Sequence, residues 1–262
     1  MRAAFYYPWY PEQWEAAGHR YTPLLGLYDS GRPEIITAHV NQMQYADIDA
    51  GIWSWWGKGS PTDRRFGDAL DIAAAYGFKW AVYYEADWNG KASYFWRVKP
   101  DLKYLRYNYF SHPAYLKIDG KPVVFVYTPG GTQSTAKKWL TARKDFGLYV
   151  SITDYPDWWA SGMPFDSWHG YRPASRGFAV QANGRMYAVS ISAGFWAAWE
   201  PEPRLARNFA EWQYAVSLMK MANPDWELVY FNEHGEGTII EPSDALCDQY
   251  LCSDYLGSLR GG

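Results

Sequence analysis

The chain has 262 residues, of which 48% are hydrophobic, with a formal net charge of -3 and a pI near 6.0. This length accommodates one large domain with a sizeable core, and the slightly acidic balance argues against a basic nucleic-acid surface or a polybasic membrane contact. No apolar run approaches the ~18–20 residues that a membrane-spanning helix needs.

Runs with strand character alternate with runs of helical periodicity along the chain. The predicted strands occupy residues 3–9, 50–57, 78–86, 123–128, 148–154, 166–172, 186–196 and 227–232. The first predicted helix begins at Pro33, and the others occupy residues 61–76, 99–110, 134–144, 203–222 and 243–257. Eight successive βα units predict a single (β/α)8 TIM barrel over residues 1–262. The rival fold, a doubly wound open sheet, usually carries a Gly-rich phosphate turn after its first strand, and this chain lacks one.

The two cysteines, Cys247 and Cys252, fall on the last predicted helix, where five-residue spacing places them on different faces. We interpret them as free buried thiols and leave a disulfide open at the helix end. They form no CxxC pair and have no neighbouring histidine, so a metal framework is not expected. The chain starts on a strand without a signal peptide. The protein is then either cytoplasmic or secreted after removal of a leader, and we favour secretion.

Aromatic residues are unusually frequent, at 19% of the chain. Such rings build cores, and exposed ones stack on the apolar face of sugars. In a (β/α)8 barrel the active site lies at the C-terminal strand ends, and here those ends collect rings and polar groups. The candidates for substrate contact are Tyr7, Trp9, Trp55, Trp56, Glu85, Tyr127, His169, Tyr171, Trp196, Asn232 and His234. One of the paired tryptophans is expected to be core, because neighbouring strand residues face opposite sides.

The stretch "YFNEHGEG" at 230–237 places two acids, Glu233 and Glu236, after the eighth strand. Two carboxyls whose surroundings separate their pKa values can perform glycoside hydrolysis. We expect Glu233 to be buried and hydrogen-bonded and Glu236 to face the cleft, with Gly235 and Gly237 letting the loop bend. The strand ends hold no Ser/His/Asp set, no His-rich cluster and no nucleotide motif. The prediction therefore includes neither metal nor cofactor.

Four segments, "FYYPWY", "SWWGKGSPTD", "KPVVFVY" and "FNEHGEGTIIEP", together resemble glycoside hydrolase family 99 and its relatives, which include endo-acting α-mannosidases. The resemblance runs in order over nearly the whole chain. The last segment matches the family pattern N-E-W-H-E-G-T-x-I-E-P at Asn232, Glu233, Glu236, Gly237, Thr238, Ile240, Glu241 and Pro242. It departs from the pattern at two positions, with His234 for the tryptophan and Gly235 for the histidine. The chain is also short for the family.

The resemblance implies a retaining mechanism in which the substrate's own 2-hydroxyl attacks the anomeric carbon and gives a 1,2-anhydro sugar. Glu233 would be the base on that hydroxyl, and Glu236 the acid on the leaving oxygen and then the base on water. Glu85 matches a family acid after the third strand, and Tyr171 or His169 matches a strand-six tyrosine. The implied partner is an oligosaccharide or polysaccharide, cleaved by endo action, with no nucleic acid and no membrane span.

Several alternatives stay open from the residues themselves. His169 suits a structural hydrogen-bonded role, and His234 could set a pKa, bind a sugar hydroxyl or point away. Glu241 also lies near the predicted start of a helix, where the helix dipole stabilises any acidic side chain. The alternative to a hydrolase is a non-catalytic glycan-binding or polysaccharide-assembly protein on the same barrel. A glycosyltransferase is a third and weaker hypothesis, since no sugar-nucleotide site is recognisable. The oligomeric state stays open.

Overall fold

The computed structural model describes residues 1–85, 95–128, 131–154, 162–244 and 254–261. Its strands are β1 (Arg2–Tyr6), β2 (Ala50–Trp55), β3 (Lys79–Tyr84), β4 (Lys117–Ile118), β5 (Lys121–Val126), β6 (Tyr149–Thr153), β7 (Ser167–His169), β8 (Gly177–Ala182), β9 (Arg185–Ile191) and β10 (Trp226–Tyr230). Its helices are α1 (Glu12–Ala16), α2 (Pro33–Tyr45), α3 (Pro61–Tyr76), α4 (Phe95–Asn108), α5 (Gln133–Phe146), α6 (Phe209–Ala222) and α7 (Asp254–Gly257). Cys247, Cys252 and most of the last predicted helix lie outside the described residues.

Nine strands follow one hydrogen-bonded path in the order β7-β6-β5-β3-β2-β1-β10-β9-β8. All neighbours along it are parallel except β8 and β9, and the short β4 adds antiparallel to β5. Since β7 also lies against β9, the sheet curls into a nearly closed barrel of eight parallel strands. These eight are the strands predicted from the sequence, so the (β/α)8 fold is confirmed. Its extent as one domain over 1–262 stays a prediction.

The first strand lies between the second and the last, and it is fixed there at its base by Arg2. The Arg2 guanidinium pairs with Glu227 of β10 at 2.8 Å and donates to the carbonyl oxygens of Ala46 and Leu259 at 3.0 and 2.6 Å. Its backbone N–H donates to Asp49 at 2.8 Å. One buried side chain thus connects the first strand with residue 46 and with the last 40 residues of the chain at the N-terminal end of the barrel.

Close packing between neighbouring strands fixes their register. Gly51 of β2 stands opposite Trp80 of β3, and a Cβ at Gly51 would lie only 1.9 Å from the indole. Only glycine lets that ring lie across the strand. The Trp80 Nε1–H then donates to the carbonyl of Ala69 in α3 at 3.1 Å, which fastens the helix to the sheet.

Helices begin and end at the residues that physical chemistry favours. The Ser60 hydroxyl accepts from the N–H of Asp63 at 3.1 Å, and α3 ends at Gly77 with φ 68°. Such caps satisfy backbone groups that the helix itself cannot pair. The predicted helix at 203–222 was too long at its start. It begins at Phe209 after an Asn208 cap, because Leu205 instead forms a backbone bridge with Phe195.

The β8–β9 hairpin is an element that the sequence prediction missed. Asn183 and Gly184, at φ 51° and 78°, form its turn. This is the conformation that two-residue hairpins require, so the "ANGR" stretch carried a usable signal. The hairpin places Phe178 over Gly170, where any Cβ would lie 2.2 Å from the ring. None of the helices in the described ranges is long and apolar enough to cross a membrane.

Candidate active site

The loop that follows β10 forms the centre of the C-terminal end of the barrel. It folds back on itself, since the N–H groups of Ile240 and Glu241 both reach the Phe231 carbonyl at 3.0 Å. The segment after β9 holds it from the side. The Trp196 N–H donates to the Glu236 carbonyl at 2.9 Å, and the Ala198 N–H donates to that of Gly235 at 2.8 Å. The loop is therefore a fixed structure of backbone hydrogen bonds.

The two acids of this loop are directly linked. The Glu236 N–H donates to Glu233 Oε1 at 3.3 Å, and the Glu233 side chain is buried. Burial, and then the charge of Glu236, raises the pKa of Glu233 well above its ordinary value. Burial also raises the pKa of Glu236 to about 7, although Arg204 lowers it in part. Glu236 Oε2 is buried and has no hydrogen-bond partner among the described residues.

A third carboxyl, Glu85, joins this end of the barrel from the end of β3. Its Oε2 accepts from Trp56 Nε1 at 3.3 Å, while its Oε1 is buried without a partner in the described part of the chain. Burial raises the pKa of Glu85 to about 7. The charge of Glu85 adds to the raised pKa of Glu233, so three carboxyls repel one another in a poorly hydrated space.

Several of the predicted aromatic side chains lie close to the acids. The hydroxyls of Tyr7 and Tyr171 are 2.8 Å apart, and the Tyr127 ring lies 5.3 Å from that of Tyr171. Burial, and the charges of nearby acids, raise the pKa of both Tyr7 and Tyr171, so each stays a neutral phenol. The Trp9 ring packs 5.0 Å from that of Trp56, a residue that is 38% exposed. These rings offer hydroxyls and apolar faces to a ligand.

Two predicted contact residues do not line this space. Trp55 is fully buried on the helix side of the sheet, where its Nε1 donates to Asp63 of α3 at 2.8 Å. His169 is fully buried inside the barrel, with Nδ1 3.1 Å from the Ser151 hydroxyl and Nε2 3.5 Å from that of Tyr83. Burial lowers its pKa to about 3, so the ring is neutral. Both side chains belong to the core, and their polar atoms bind other core residues.

Asn232 and His234, the neighbours of Glu233, face away from the ligand space. The Asn232 amide is fully used: Oδ1 accepts from the Tyr7 N–H at 2.8 Å, and Nδ2 donates to the Tyr7 carbonyl at 3.1 Å and the Tyr28 hydroxyl at 3.2 Å. His234 is completely buried, with Nε2 2.9 Å from Glu241 Oε2. The His234 side chain thus points away from the ligand space, one of the alternatives left open for it.

Trp196 lies at the edge of the site beside the Glu236 loop. Its Nε1 donates to the Glu200 carbonyl at 3.1 Å, and the Arg20 guanidinium stacks 4.6 Å from its ring. Arg204 forms an ion pair with Glu200 close by. Sequence reasoning missed Arg20, Glu200 and Arg204, because they lie in irregular segments without a motif.

Sequence reasoning also missed Tyr10, although it stands in "FYYPWY". Its hydroxyl donates to the Asn232 carbonyl at 3.1 Å and accepts from the His234 N–H at 3.0 Å, so it spans the Glu233 backbone. The described residues contain no group of three or more His, Cys, Asp or Glu side chains that could hold a metal ion.

A (β/α)8 barrel with a pair of adjacent acids and aromatic rings at its C-terminal end is the architecture of a glycoside hydrolase. The family described as "Glycosyl hydrolase family 99" matches residues 12–154, more than half of the 262. The chain belongs to this family, as the motifs suggested. The match ends before the loop that carries Glu233 and Glu236.

Individual relatives agree with this assignment. The chain is 30% identical to a glycoprotein endo-alpha-1,2-mannosidase of Xenopus laevis, over 86% of this chain and 58% of that protein. It is 23% identical to the Mus musculus protein of the same name, over 86% of this chain and 57% of that one. The chain thus spans less than two thirds of the length of these relatives.

Solved structures show the same fold. The endo-alpha-mannosidase of Bacteroides thetaiotaomicron in complex with bis-tris propane superposes with a TM-score of 0.79 at 20% identity, covering 98% of this chain and 94% of that one. A second structure, of a "glycoside hydrolase-like protein", superposes with a TM-score of 0.68 at 15% identity, covering 98% and 92%.

Proposed function

We propose that this protein is a retaining, endo-acting glycoside hydrolase that cleaves an α-linked, α-mannoside-like glycan with Glu233 and Glu236. The observation that carries the proposal is the loop after β10, which holds the buried Glu233 and the half-buried Glu236 beside each other among aromatic rings. Glu236 Oε2 has no hydrogen-bond partner among the described residues, so it is available to a glycosidic oxygen. The α-mannoside comes from the names of the relatives.

Both carboxyl pKa values are raised, so the pair retains a proton near neutral pH. In a coupled pair that proton belongs to both acids. A bound sugar with its 2-hydroxyl at Glu233 and its glycosidic oxygen at Glu236 would place the proton on Glu236. Glu236 then acts as the acid and Glu233 as the base, which are the states that the two steps require.

In the first step, Glu236 protonates the leaving oxygen as the bond from that oxygen to the anomeric carbon breaks. The sugar O2 gives its proton to Glu233 and bonds to the anomeric carbon, which forms the 1,2-anhydro sugar. In the second step Glu236, now ionised, takes a proton from water, and the water oxygen bonds to the anomeric carbon. O2 leaves that carbon and recovers its proton from Glu233. An intramolecular nucleophile reacts faster because it is already positioned beside the reacting carbon.

The neutral phenols of Tyr7 and Tyr171 support this assignment. Their hydroxyls lie together beside the acids, and the raised pKa values of both tyrosines reflect, after burial, the charges of Glu233 and Glu236 among other groups. Each can donate a hydrogen bond to a sugar hydroxyl or an acid oxygen. Trp56, Trp9 and Tyr127 complete a wall on which a sugar ring can stack. Glu85 is placed to accept from further hydroxyls.

The test is a panel of α-linked mannooligosaccharides and aryl α-mannosides, with product size and anomeric configuration followed by NMR. Wild type should release oligosaccharides with retention of configuration. Glu236→Gln should lose on the order of 100-fold or more in kcat/KM. Glu34→Gln, an exposed acid on α2, is the matched control and should match wild type.

Three other results would change the proposal. Release of single sugars would replace endo with exo action. Inversion of configuration would rule out the anhydro-sugar route. Glycan binding without any release by wild type would favour the alternative, a glycan-binding or polysaccharide-assembly protein on the same barrel.

A further inference from the structure

A cluster of buried polar side chains lies directly behind Glu233, outside the ligand space. At its centre is Glu241, which is completely buried, as are His39 of α2 and His234. Glu241 Oε1 lies 3.0 Å from His39 Nε2, and Oε2 lies 2.9 Å from His234 Nε2. The Tyr28 hydroxyl donates to Oε2 at 2.9 Å. A carboxylate this deep in a protein needs such partners, because burial alone strongly disfavours its charge.

The hydrogen-bond partners limit where the ring protons of the two histidines can lie. His234 Nδ1 lies 3.1 Å from the Tyr21 carbonyl oxygen, which can only accept, so Nδ1 bears a proton. Its Nε2 faces a carboxylate oxygen that already accepts from Tyr28, so Nε2 bears a proton too. His39 differs, because its Nδ1 lies 2.9 Å from the Tyr6 hydroxyl, which can donate. Because that hydroxyl can also accept, His39 can carry a proton on Nε2 alone or on both ring nitrogens.

The surroundings agree with an ionised Glu241. Burial by itself would raise the pKa of Glu241, but the two histidines outweigh it and lower the pKa to about 2. Burial and the charge of Glu241 raise the pKa of both Tyr6 and Tyr28, which keeps these hydroxyls protonated. Within the described ranges, Glu241 lies within ion-pair distance of His39, at 3.0 Å, and of His234, at 2.9 Å.

This cluster is connected to both chain neighbours of Glu233. On one side His234 binds Glu241 directly. On the other, the Tyr28 hydroxyl that donates to Glu241 accepts from the Asn232 amide at 3.2 Å. Glu233 therefore lies between two residues that Glu241 fixes in place, and the Asn232 amide extends that connection to the backbone of Tyr7.

We infer that Glu241 is the positioning residue of the active site: as a buried ion pair with a doubly protonated His234, it fixes the backbone on both sides of Glu233. This inference rests on the proposed function. It also gives a reason for the histidine at position 234, where the related pattern has tryptophan. A charged ring at this position holds the loop by an ion pair, where a tryptophan would hold it by packing.

The first test uses wild-type protein and needs no activity. Long-range nitrogen–proton NMR of the histidine rings, assigned with His234→Gln and His39→Gln, should show protons on both ring nitrogens of His234 at neutral pH. A His234 ring with one bare nitrogen would overturn the inference, whether or not the protein hydrolyses glycans.

The second test compares Glu241→Gln with Glu227→Gln. Glu227 is a half-buried ion-pair acid, held by Arg2 at the opposite end of the barrel. Glu241→Gln should lower kcat by on the order of 10- to 100-fold while KM changes little, because misplaced catalytic groups lose rate more than binding. Glu227→Gln should lower only Tm and keep wild-type kcat.

The outcomes of the second test separate the two proposals. A folded Glu241→Gln protein with wild-type kcat would refute the positioning role. If Glu241→Gln does not fold, His39→Gln, which removes one of the two histidine partners, should still lower kcat, and wild-type kcat there would refute the role. If wild type hydrolyses nothing, the proposed function fails and the NMR result still decides whether the ion pair exists.

Discussion

Trp55 and Trp56 are adjacent in the chain and have opposite surroundings. Trp55 is enclosed between β2 and α3, whereas Trp56 stands at the end of β2 beside Trp9, with its indole N–H directed to Glu85. The alternation of side chains along a strand produces this difference. Of the two, only Trp56 presents a ring face to a ligand.

We expect Trp56→Ala to lose glycan binding and Trp55→Ala to lose stability. Removing Trp56 should weaken glycan binding by on the order of 1 kcal/mol, or roughly fivefold, through lost stacking, with little change in Tm. Removing Trp55 should cost about 3–5 kcal/mol of unfolding free energy. Titration calorimetry and chemical denaturation measure the two effects. Equal loss of binding in both variants at equal stability would contradict the assignment.

The raised pKa of Glu236 makes a prediction about activity and pH. A general acid works only while protonated, and burial holds the pKa of Glu236 at about 7. We therefore expect kcat/KM to decline as the pH rises through about 7, and the Glu34→Gln control to follow the same curve. A profile that stays flat well past neutral pH would show that Glu236 is not the acid.

Among the structural elements, the loop after β10 depends on one glycine. Gly237 adopts φ 62°, and a Cβ there would lie 2.8 Å from the Trp196 carbonyl oxygen. Gly184 in the β8–β9 turn has φ 78° with nothing within 4 Å. The two glycines share the left-handed backbone conformation but differ in the space around them.

This difference provides a matched pair of variants. Gly184→Ala should cost about 1 kcal/mol of stability from backbone strain alone and leave kcat unchanged. Gly237→Ala adds a contact with backbone that cannot rotate away, so it should lose more stability and also lower kcat by displacing Glu236. Denaturation curves and steady-state kinetics on both proteins test this. Equal effects would mean that the Trp196 contact is unimportant.

The sequence predicted those elements whose signals are local. Buried apolar runs such as "VVFVYT" identified all eight parallel strands, and Gly77 marked the end of α3. The start of α6 could not be predicted from helical periodicity, because the pairing of Leu205 with Phe195 is a tertiary contact that removes residues from the helix. The β8 strand was missed although its Asn183–Gly184 turn was readable.

The same limit applies to the site. The acids and most rings followed from their places at strand ends. The orientation of His234 did not, because its partners are a carbonyl at Tyr21 and a carboxylate at Glu241. His39 meets Glu241 across 202 positions of the chain. No local pattern encodes such a contact.

For the whole molecule, the buried acids have opposite effects on stability. Glu241, with its lowered pKa, contributes stability above its unfolded value of 4.5 that is lost as the pH falls toward 2. Glu85, raised to about 7, acts in the other direction. Its contribution is fully present below pH 4.5 and is lost as the pH rises through about 7. Glu85, which faces the ligand space, thus reduces the free energy of unfolding once the pH reaches neutrality.

We therefore expect Glu85→Gln to stabilise the protein at about pH 8 by roughly 1–3 kcal/mol, with a smaller difference near pH 4.5. Chemical denaturation at both pH values measures the change, and Glu34→Gln, an exposed acid, should show none. A Glu85→Gln protein that is less stable at both pH values would show that its carboxylate is instead held by favourable contacts.

The place of β1 between β2 and β10 has a kinetic consequence. Strands β2 to β7 can pair in the order in which they occur in the chain. One edge of β1 pairs with β2, but its other edge stays unpaired until β10, more than 200 residues later, joins the sheet. Such non-local pairing is slow. The loop that carries both acids follows β10, so it should form with this last pairing. In refolding experiments, secondary structure measured by circular dichroism should therefore return before glycan cleavage does, and simultaneous recovery would contradict this order.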